Sequence, residues 1–315
     1  MPNILYLGSI EGYHSAREVL EETGDIFYVE PTSIAVELAL AKADALLDAS
    51  MKVPITDSML DIAKKLKIIS CATTGSNHIS QSSLEERKIK IHTLKEDKVL
   101  LMDLTPAAEL SWALLMASAR KLNSAFDDVK KGNWIRENFP GVMLKGKTLG
   151  IVGCGRIGGW MAKYASAFEM NVIGFDPYIS TFPSRIKEVE LQHLFEISDF
   201  ITIHVHLTPE TTGMINMELL SKCKPNVILI NTSRGQLINE EDLLCALINK
   251  QIGAVGLDVL ADEPEIYKSV LVQYAKENDN LIITPHCGGF SPDAVRIVCK
   301  RAAEKIKNYY LKTLL

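Results

Sequence analysis

Short apolar runs alternate with helix-length stretches from one end of the chain to the other. Residues 3–8 (NILYLG), 26–30 (IFYVE), 43–48 (ADALLD), 67–72 (KIISCA) and 88–93 (KIKIHT) predict strands, with helical stretches over 15–22 and 56–65. Strands separated by helices of this length imply βαβ crossovers and a mostly parallel sheet, which makes the first hundred residues one α/β unit. A long helix follows over 105–122 (TPAAELSWALLMASARKL). Pro106 suits its first turn, Thr105 is placed to cap it, and Glu109 complements its positive end. Its apolar positions run nearly all round, the pattern of a helix buried between domains or subunits. The polar DDVKKGNW after it has the character of a surface arm. A second alternation begins at Thr148: TLGIVG, NVIGFD, FITIHV, NVILIN, AVGLDV and LIITPH. A last helix, about 292–311, comes too late to build a domain and is expected to pack back on the first unit. The expected division is a discontinuous domain, 1–103 with 287–315, around an inserted domain, 104–286.

Composition narrows the class. At 315 residues, the chain exceeds the ~100–200 residues usual for one domain. Its 47% hydrophobic and 23% charged content is globular rather than disordered. A net charge of -5 argues against a general binder of nucleic acid or anionic membranes. The start, MPNILYLGSI, lacks the positive segment and long apolar core of a signal peptide. No run approaches the ~18 consecutive apolar residues of a membrane span, so a cytoplasmic protein is expected. Six scattered cysteines form no C-x-x-C pair. They are expected to be small buried hydrophobes in a reducing compartment, with no metal site.

The most specific local signal is KTLGIVGCGRIGGWMAKYASAFEMNVIGFDPY, residues 147–178. Gly153, Gly155 and Gly158 follow a strand directly and open a helix, and the next strand ends in Asp176. The first glycine permits the tight turn, the second lets backbone approach a pyrophosphate, and the third lets helix and strand pack closely. The helix start offers free N–H groups to phosphate. Asp176 lies where a carboxylate accepts from both adenosine ribose hydroxyls and repels a 2′-phosphate, favouring NAD over NADP. Arg156 sits in the same loop, placed either to touch the pyrophosphate or to stay in solvent. Methyltransferases share a glycine-rich first turn and an acid after the second strand, but they do not account for what lies downstream.

Three later strand ends each deliver a polar group: Arg234 after NVILIN, Asp258 and Glu263 at and beyond AVGLDV, and His286 after LIITPH. In a doubly wound sheet the C-terminal strand ends form the ligand crevice. Arginine offers a planar fork for a carboxylate, histidine moves a proton near neutral pH, and a nearby glutamate favours imidazolium. Hydride and proton transfer at the carbon beside a carboxylate needs this inventory. Cys287, next to His286, is read as a space-filling residue rather than a nucleophile.

Taken in order, LKIISCATTGSNHI, GKTLGIVGCGRIGGWM, FDPY, HLTPETTGMIN, NTSRGQLINEEDLLCAL, LDVLADEPE and TPHCGGFSPDA resemble the D-isomer-specific 2-hydroxyacid dehydrogenases, across most of residues 66–294. That resemblance implies two doubly wound α/β domains, a Rossmann NAD-binding domain inserted into a flavodoxin-like substrate domain that closes about a hinge. It implies Arg234 as the substrate-binding arginine, Glu263 as the partner keeping histidine protonated, and His286 as general acid/base. Thr74, Gly75, Ser76 and Asn77 would receive the substrate carboxylate on backbone N–H groups. NAD would be held by the glycine loop with Arg156 and Ile157, by Asp176 and Pro177, and by Thr105, His206, Thr211, Thr232, Ser233 and Asp258. A homodimer joined through the arm after the long helix is also implied, with a small 2-oxo or 2-hydroxy acid as substrate. The chain departs from the family pattern at His206, where proline is common, at Ser233, where alanine is common, and in a longer link into the long helix. The 72–80 loop carries no lysine or arginine for a substrate phosphate. A second expectation, an NAD(H)-sensing protein of the corepressor type with little turnover, shares the same three residues.

Overall fold

The computed structural model describes residues 1–50, 52–76 and 78–313. It divides into two compact units, Met1–Leu104 with Phe290–Leu315, and Thr105–Gly289.

In the first unit, the described residues form a five-stranded parallel sheet of β1 (Asn3–Leu7), β2 (Asp25–Tyr28), β3 (Ala45–Asp48), β4 (Ile68–Cys71) and β5 (Lys90–His92). The order β2-β1-β3-β4-β5 is that of a flavodoxin-like sheet. Its helices are α1 (Ile10–Leu20), α2 (Ser33–Leu40), α3 (Asp57–Ile62), α4 (Gln81–Glu86) and α5 (Lys98–Met102), with the last helix (Pro292–Thr313) returning from the far end of the chain. Period-2 alternation divides the core. Leu5 and Leu7 face α2 and α3 with Leu46 and Ile69. Ile4 and Tyr6 face the other way, onto Cys299, Ala302 and Ile306 of the last helix. Each fully buried Leu or Ile contributes roughly 1.5–3 kcal/mol, so the last helix is integral to this unit. Asp97 reinforces it, accepting from Arg301 Nε at 2.6 Å and also from Lys305. Helix α1 starts five residues before the expected position because the Ser9 hydroxyl accepts from Gly12 N. Helices α2 and α4 were not expected at all; Thr32 and Ser80 cap them.

The second unit holds a seven-stranded parallel sheet among the described residues: β6 (Thr148–Val152), β7 (Asn171–Phe175), β8 (Lys187–Glu188), β9 (Phe200–Ile203), β10 (Val227–Asn231), β11 (Ile252–Leu257) and β12 (Leu281–Ile283). The order is β12-β11-β10-β9-β6-β7-β8. The chain walks outward from β6 to β8, then resumes at β9 on the other side of β6. That reversal makes the C-terminal ends of β6 and β9 a topological switch point, where open α/β sheets bind ligands. Helices α6 (Pro106–Arg120), α7 (Leu122–Lys130), α8 (Arg156–Ala167), α9 (Leu191–Ile197), α10 (Met217–Leu220), α11 (Glu240–Ile248) and α12 (Val270–Ala275) cover the faces. Every residue of β10 is buried.

Three expectations are corrected here. Thr105 does not cap α6: its backbone is already helical and its hydroxyl donates to Glu109 Oε1 at 2.5 Å. Residues 127–130 of the expected arm are helical, in α7, with no buried residue. The domain boundary expected after His286 falls three residues later, because Asp258 of the second unit holds Cys287 and Gly288. The stretch Lys98–Arg120 is long and apolar enough, by composition, to cross a membrane. It is broken at 103–105, however, and α6 lays Leu114 and Leu115 in the core beside Ile151, Ile228 and Ile230.

Candidate active site

The glycine loop tests whether a dinucleotide fits. Gly153 turns the chain at φ +90°, and a Cβ there would lie 2.4 Å from the His204 carbonyl oxygen. At Gly158 a Cβ would come within 2.2 Å of the Gly153 carbonyl oxygen, so only hydrogen lets α8 approach the strand so closely. Gly155 faces open space, and the start of α8 has no side-chain cap, leaving backbone N–H groups for an anion. Asp176 follows β7, with Oδ2 accepting from Cys154 N at 2.9 Å and Oδ1 from Tyr178 N at 3.0 Å. Each oxygen keeps a second acceptor site for ribose hydroxyls. Arg156, Ile157 and Pro177 sit around this loop, with Arg156 and Ile157 half-buried and Pro177 exposed. These residues fit a dinucleotide. No motif in the sequence marks His204. It stands under the Gly153 turn, bonded through Nε2 to Thr202 Oγ1 at 2.7 Å, and burial pushes its pKa down to about 3, so it is neutral.

Arg234 stands on the turn after β10. The fully buried Asn231 folds that turn, donating to the Arg234 carbonyl at 2.8 Å and accepting from Ser233 N at 3.0 Å. Ser233 Oγ donates to the Ile203 carbonyl at 2.7 Å, pinning the turn to the end of β9. Thr232 is buried, its hydroxyl 2.6 Å from Ser111 Oγ on α6. Arg234 Nη1 donates to the Ser233 carbonyl at 2.6 Å, which orients the guanidinium. His206 is exposed, and its carbonyl accepts from Thr211 Oγ1 at 2.8 Å.

His286 has a left-handed backbone, φ +51°, which costs a non-glycine residue roughly 1–3 kcal/mol unless its surroundings hold it there. Asp258 does so. Its backbone carbonyl accepts from His286 N at 2.8 Å. Its side chain, 1% exposed, accepts from Thr284 Oγ1 at 2.5 Å, Cys287 N at 2.9 Å and Gly288 N at 2.7 Å. The turn aims the imidazole at Glu263, whose Oε1 is 2.5 Å from Nδ1 and whose Oε2 accepts from Leu260 N at 3.3 Å. The hydrogen bond to Glu263 raises the His286 pKa above its ordinary value, helped by the Glu263 and Asp258 charges. Burial and the nearby Arg234 cation oppose it. With Nδ1 committed to Glu263, Nε2 is the atom that exchanges a proton with a ligand. Burial and Asp258 raise the Cys287 thiol pKa, which disfavours a thiolate nucleophile. Among the described residues no group of three His, Cys, Asp or Glu side chains is placed to hold a metal ion.

In the first unit, the Thr73 hydroxyl donates to the Gly75 carbonyl at 2.7 Å; Thr74 is exposed and Ser76 buried. Asn77, expected in the same loop, lies outside the described residues.

Residues 112–288 match the model of the D-isomer specific 2-hydroxyacid dehydrogenase family, NAD binding domain. The chain belongs to that family. Its cofactor is NAD, held by the second unit. D-3-phosphoglycerate dehydrogenase of Methanocaldococcus jannaschii is 36% identical over 302 residues, 94% of this chain and 55% of that protein. Hydroxypyruvate reductase of Thermotoga maritima is 36% identical over 255 residues, 80% of each chain. The crystal structure of a Thermus thermophilus protein superposes with a TM-score of 0.84 at 30% identity, covering 96% of this chain and 94% of that one. The chain thus spans about half the length of the first of these relatives.

Proposed function

We propose that the protein is an NAD-dependent dehydrogenase interconverting a small D-2-hydroxy acid and its 2-oxo acid. The observation that carries this reading is the 2.5 Å contact of His286 Nδ1 with Glu263, on a turn of the same unit that carries Arg234 and the glycine loop. NAD, when bound, supplies or accepts the hydride. Gly153, Gly155, Gly158, Arg156 and Ile157 receive its pyrophosphate, and Asp176 with Pro177 holds the adenosine ribose. Thr105, His206, Thr211, Thr232 and Ser233 line the remainder of the cofactor site, and Asp258 acts there through the turn it shapes. Arg234 takes the substrate carboxylate in a fork of two hydrogen bonds and polarises the adjacent carbonyl. Thr74, Gly75 and Ser76 of the first unit offer backbone N–H groups suited to a substrate carboxylate. His286 donates a proton from Nε2 to the forming alkoxide, and Glu263 stabilises the imidazolium beforehand. In the oxidative direction the neutral imidazole takes that proton back.

The 72–80 loop carries no lysine or arginine, which favours small unphosphorylated acids such as glyoxylate or hydroxypyruvate over a phosphorylated one. A homodimer through the arm is part of the proposal: Phe126, Val129, Trp134 and Met143 are all more than half exposed there.

The test is NADH oxidation across a panel of 2-oxo acids that includes phosphorylated and sugar acids. Turnover of a small acid is expected, and His286→Ala should cut it by ~10²–10⁴ while leaving NADH affinity intact. Tight NADH binding with no turnover on any acid would instead favour a sensor.

A further inference from the structure

The loops carrying Arg234 and Glu263 meet at the backbone of Leu260 and Ala261, and that stretch is gripped from three sides. A Cβ at Gly235 would lie 2.0 Å from the Leu260 carbonyl carbon and 2.3 Å from Ala261 N, so the backbone after Arg234 is pressed against it. Gln236 Nε2 donates to the Ala261 carbonyl at 2.7 Å. Glu240, at the start of α11, accepts from Ala261 N through Oε1, also at 2.7 Å. The neighbouring Leu260 N donates to Glu263 Oε2. Both polar groups of residue 261 are therefore committed to the Arg234 side, one residue from the amide that orients the carboxylate facing His286.

We propose that Glu240 and Gln236 are positioning residues that lock the Arg234 turn to the Glu263 loop and so fix the Glu263 carboxylate against His286 Nδ1. This rests on reading His286 as the acid/base. The charged groups facing His286 are Glu263, Arg234 and Asp258; those facing Glu240 are Asp262 and Glu263. Burial first, and then those two carboxylates, raise the Glu240 pKa. What the clamp requires of residue 240 is an acceptor oxygen rather than a negative charge.

That distinction sets the test. Glu240→Ala and Gln236→Leu each remove one grip, whereas Glu240→Gln keeps the Oε1 acceptor without the charge. The His286 imidazole is titrated by NMR of its C2–H in the full-length protein without substrate, assigned by its loss in His286→Gln. With Glu263 loosened, the His286 pKa should fall towards its ordinary value in Glu240→Ala and in Gln236→Leu, and keep its wild-type position in Glu240→Gln. In the same variants, kcat for hydroxypyruvate reduction should fall on the order of 3- to 10-fold, less than on removal of the Glu263 charge because the carboxylate is displaced rather than deleted, with NADH affinity unchanged and Glu240→Gln restoring the rate. A wild-type His286 titration in Glu240→Ala and Gln236→Leu overturns the clamp, even if both variants melt earlier. An equal drop in Glu240→Gln and Glu240→Ala assigns the effect to charge and overturns it too. If the wild-type protein reduces no 2-oxo acid, the dehydrogenase reading fails, and the titration still decides whether the clamp holds.

Discussion

Replacing Glu263 by glutamine probes the proposed chemistry with little change of shape. The 2.5 Å contact with His286 Nδ1 is a hydrogen bond between charged groups once the imidazole is protonated, a class worth about 1.5–3 kcal/mol. The two side chains are 46% and 27% exposed, however, and water screens the pair. A discounted figure of roughly 1–2 kcal/mol is appropriate. At a tenfold change in rate per 1.36 kcal/mol, kcat for reduction should fall about 5- to 30-fold at neutral pH.

The pH dependence carries more information than the size. Glu263 raises the His286 pKa, and the proposed reduction needs imidazolium. Below the ordinary histidine pKa both proteins are protonated and the gap narrows. As pH rises the variant loses its proton first, so its reductive limb turns down at lower pH and the gap widens. Stability follows the same sign: the contribution of the pair is fully present below the ordinary pKa and is lost as pH rises through the raised one. Stopped-flow reduction at saturating NADH, from about pH 5.5 to 9.5, spans both regimes. A wild-type to variant ratio that stays constant over that span would refute the assignment of Glu263 as the group that keeps His286 protonated.

Five further substitutions have expected outcomes. Gly158→Ala forces a Cβ to within 2.2 Å of a backbone oxygen and should lower stability by about 1–3 kcal/mol, with weaker NADH binding. Gly159→Ala, one residue on and in open space, should be neutral or stabilising by up to ~1 kcal/mol; denaturant melts of the pair read the contrast. Asp258→Asn sets an amide among groups that all donate, and should cost roughly 2–4 kcal/mol by the same melts. Asp176→Ala should weaken NADH binding and erode any preference for it over NADPH in fluorescence titrations, since the carboxylate is proposed to hold the ribose and braces Cys154 N. Trp134→Glu, at a residue 88% exposed on the arm, should shift a dimer towards monomer in sedimentation while the far-UV circular dichroism stays that of the wild type.

Strands were legible in the sequence because parallel strands buried on both faces leave unbroken apolar runs, and each expected run contains its observed strand within one or two residues. Helices were less so. Helix α2 (SIAVELAL) leaves Ile34 and Leu38 exposed, so its apolar residues mark no single face, and the six residues of α4 are too few to show a period. Helix α7 was hidden by its polarity, since none of its side chains is buried. In the site, Gly153, Gly155 and Gly158 carry separable steric signatures that spacing alone anticipated. No comparable signal marks Asn231 or His204. Their roles depend on which way a buried side chain turns at a strand end, and nothing in the linear order encodes that direction.

Asp258 illustrates the same limit and points to how the site works. Its position at a strand end was visible, but its carboxylate is filled by Thr284, Cys287 and Gly288. Asn231 likewise spends its amide on the turn that carries Arg234. Arg234 and His286 therefore each stand on a turn fixed by a buried polar residue at the end of a strand. Buried hydrogen-bonded groups of this kind are costly to leave unsatisfied, so neither turn relaxes easily, and the strained φ of His286 persists. The electrostatics need that rigidity. His286 feels Glu263 raising its pKa and Arg234 lowering it, and both influences depend steeply on distance. A turn free to move by an ångström would let one charge dominate. The His286 pKa would then shift further from its ordinary value, away from the balance that the proposed reaction, donating a proton in one direction and accepting it in the other, requires.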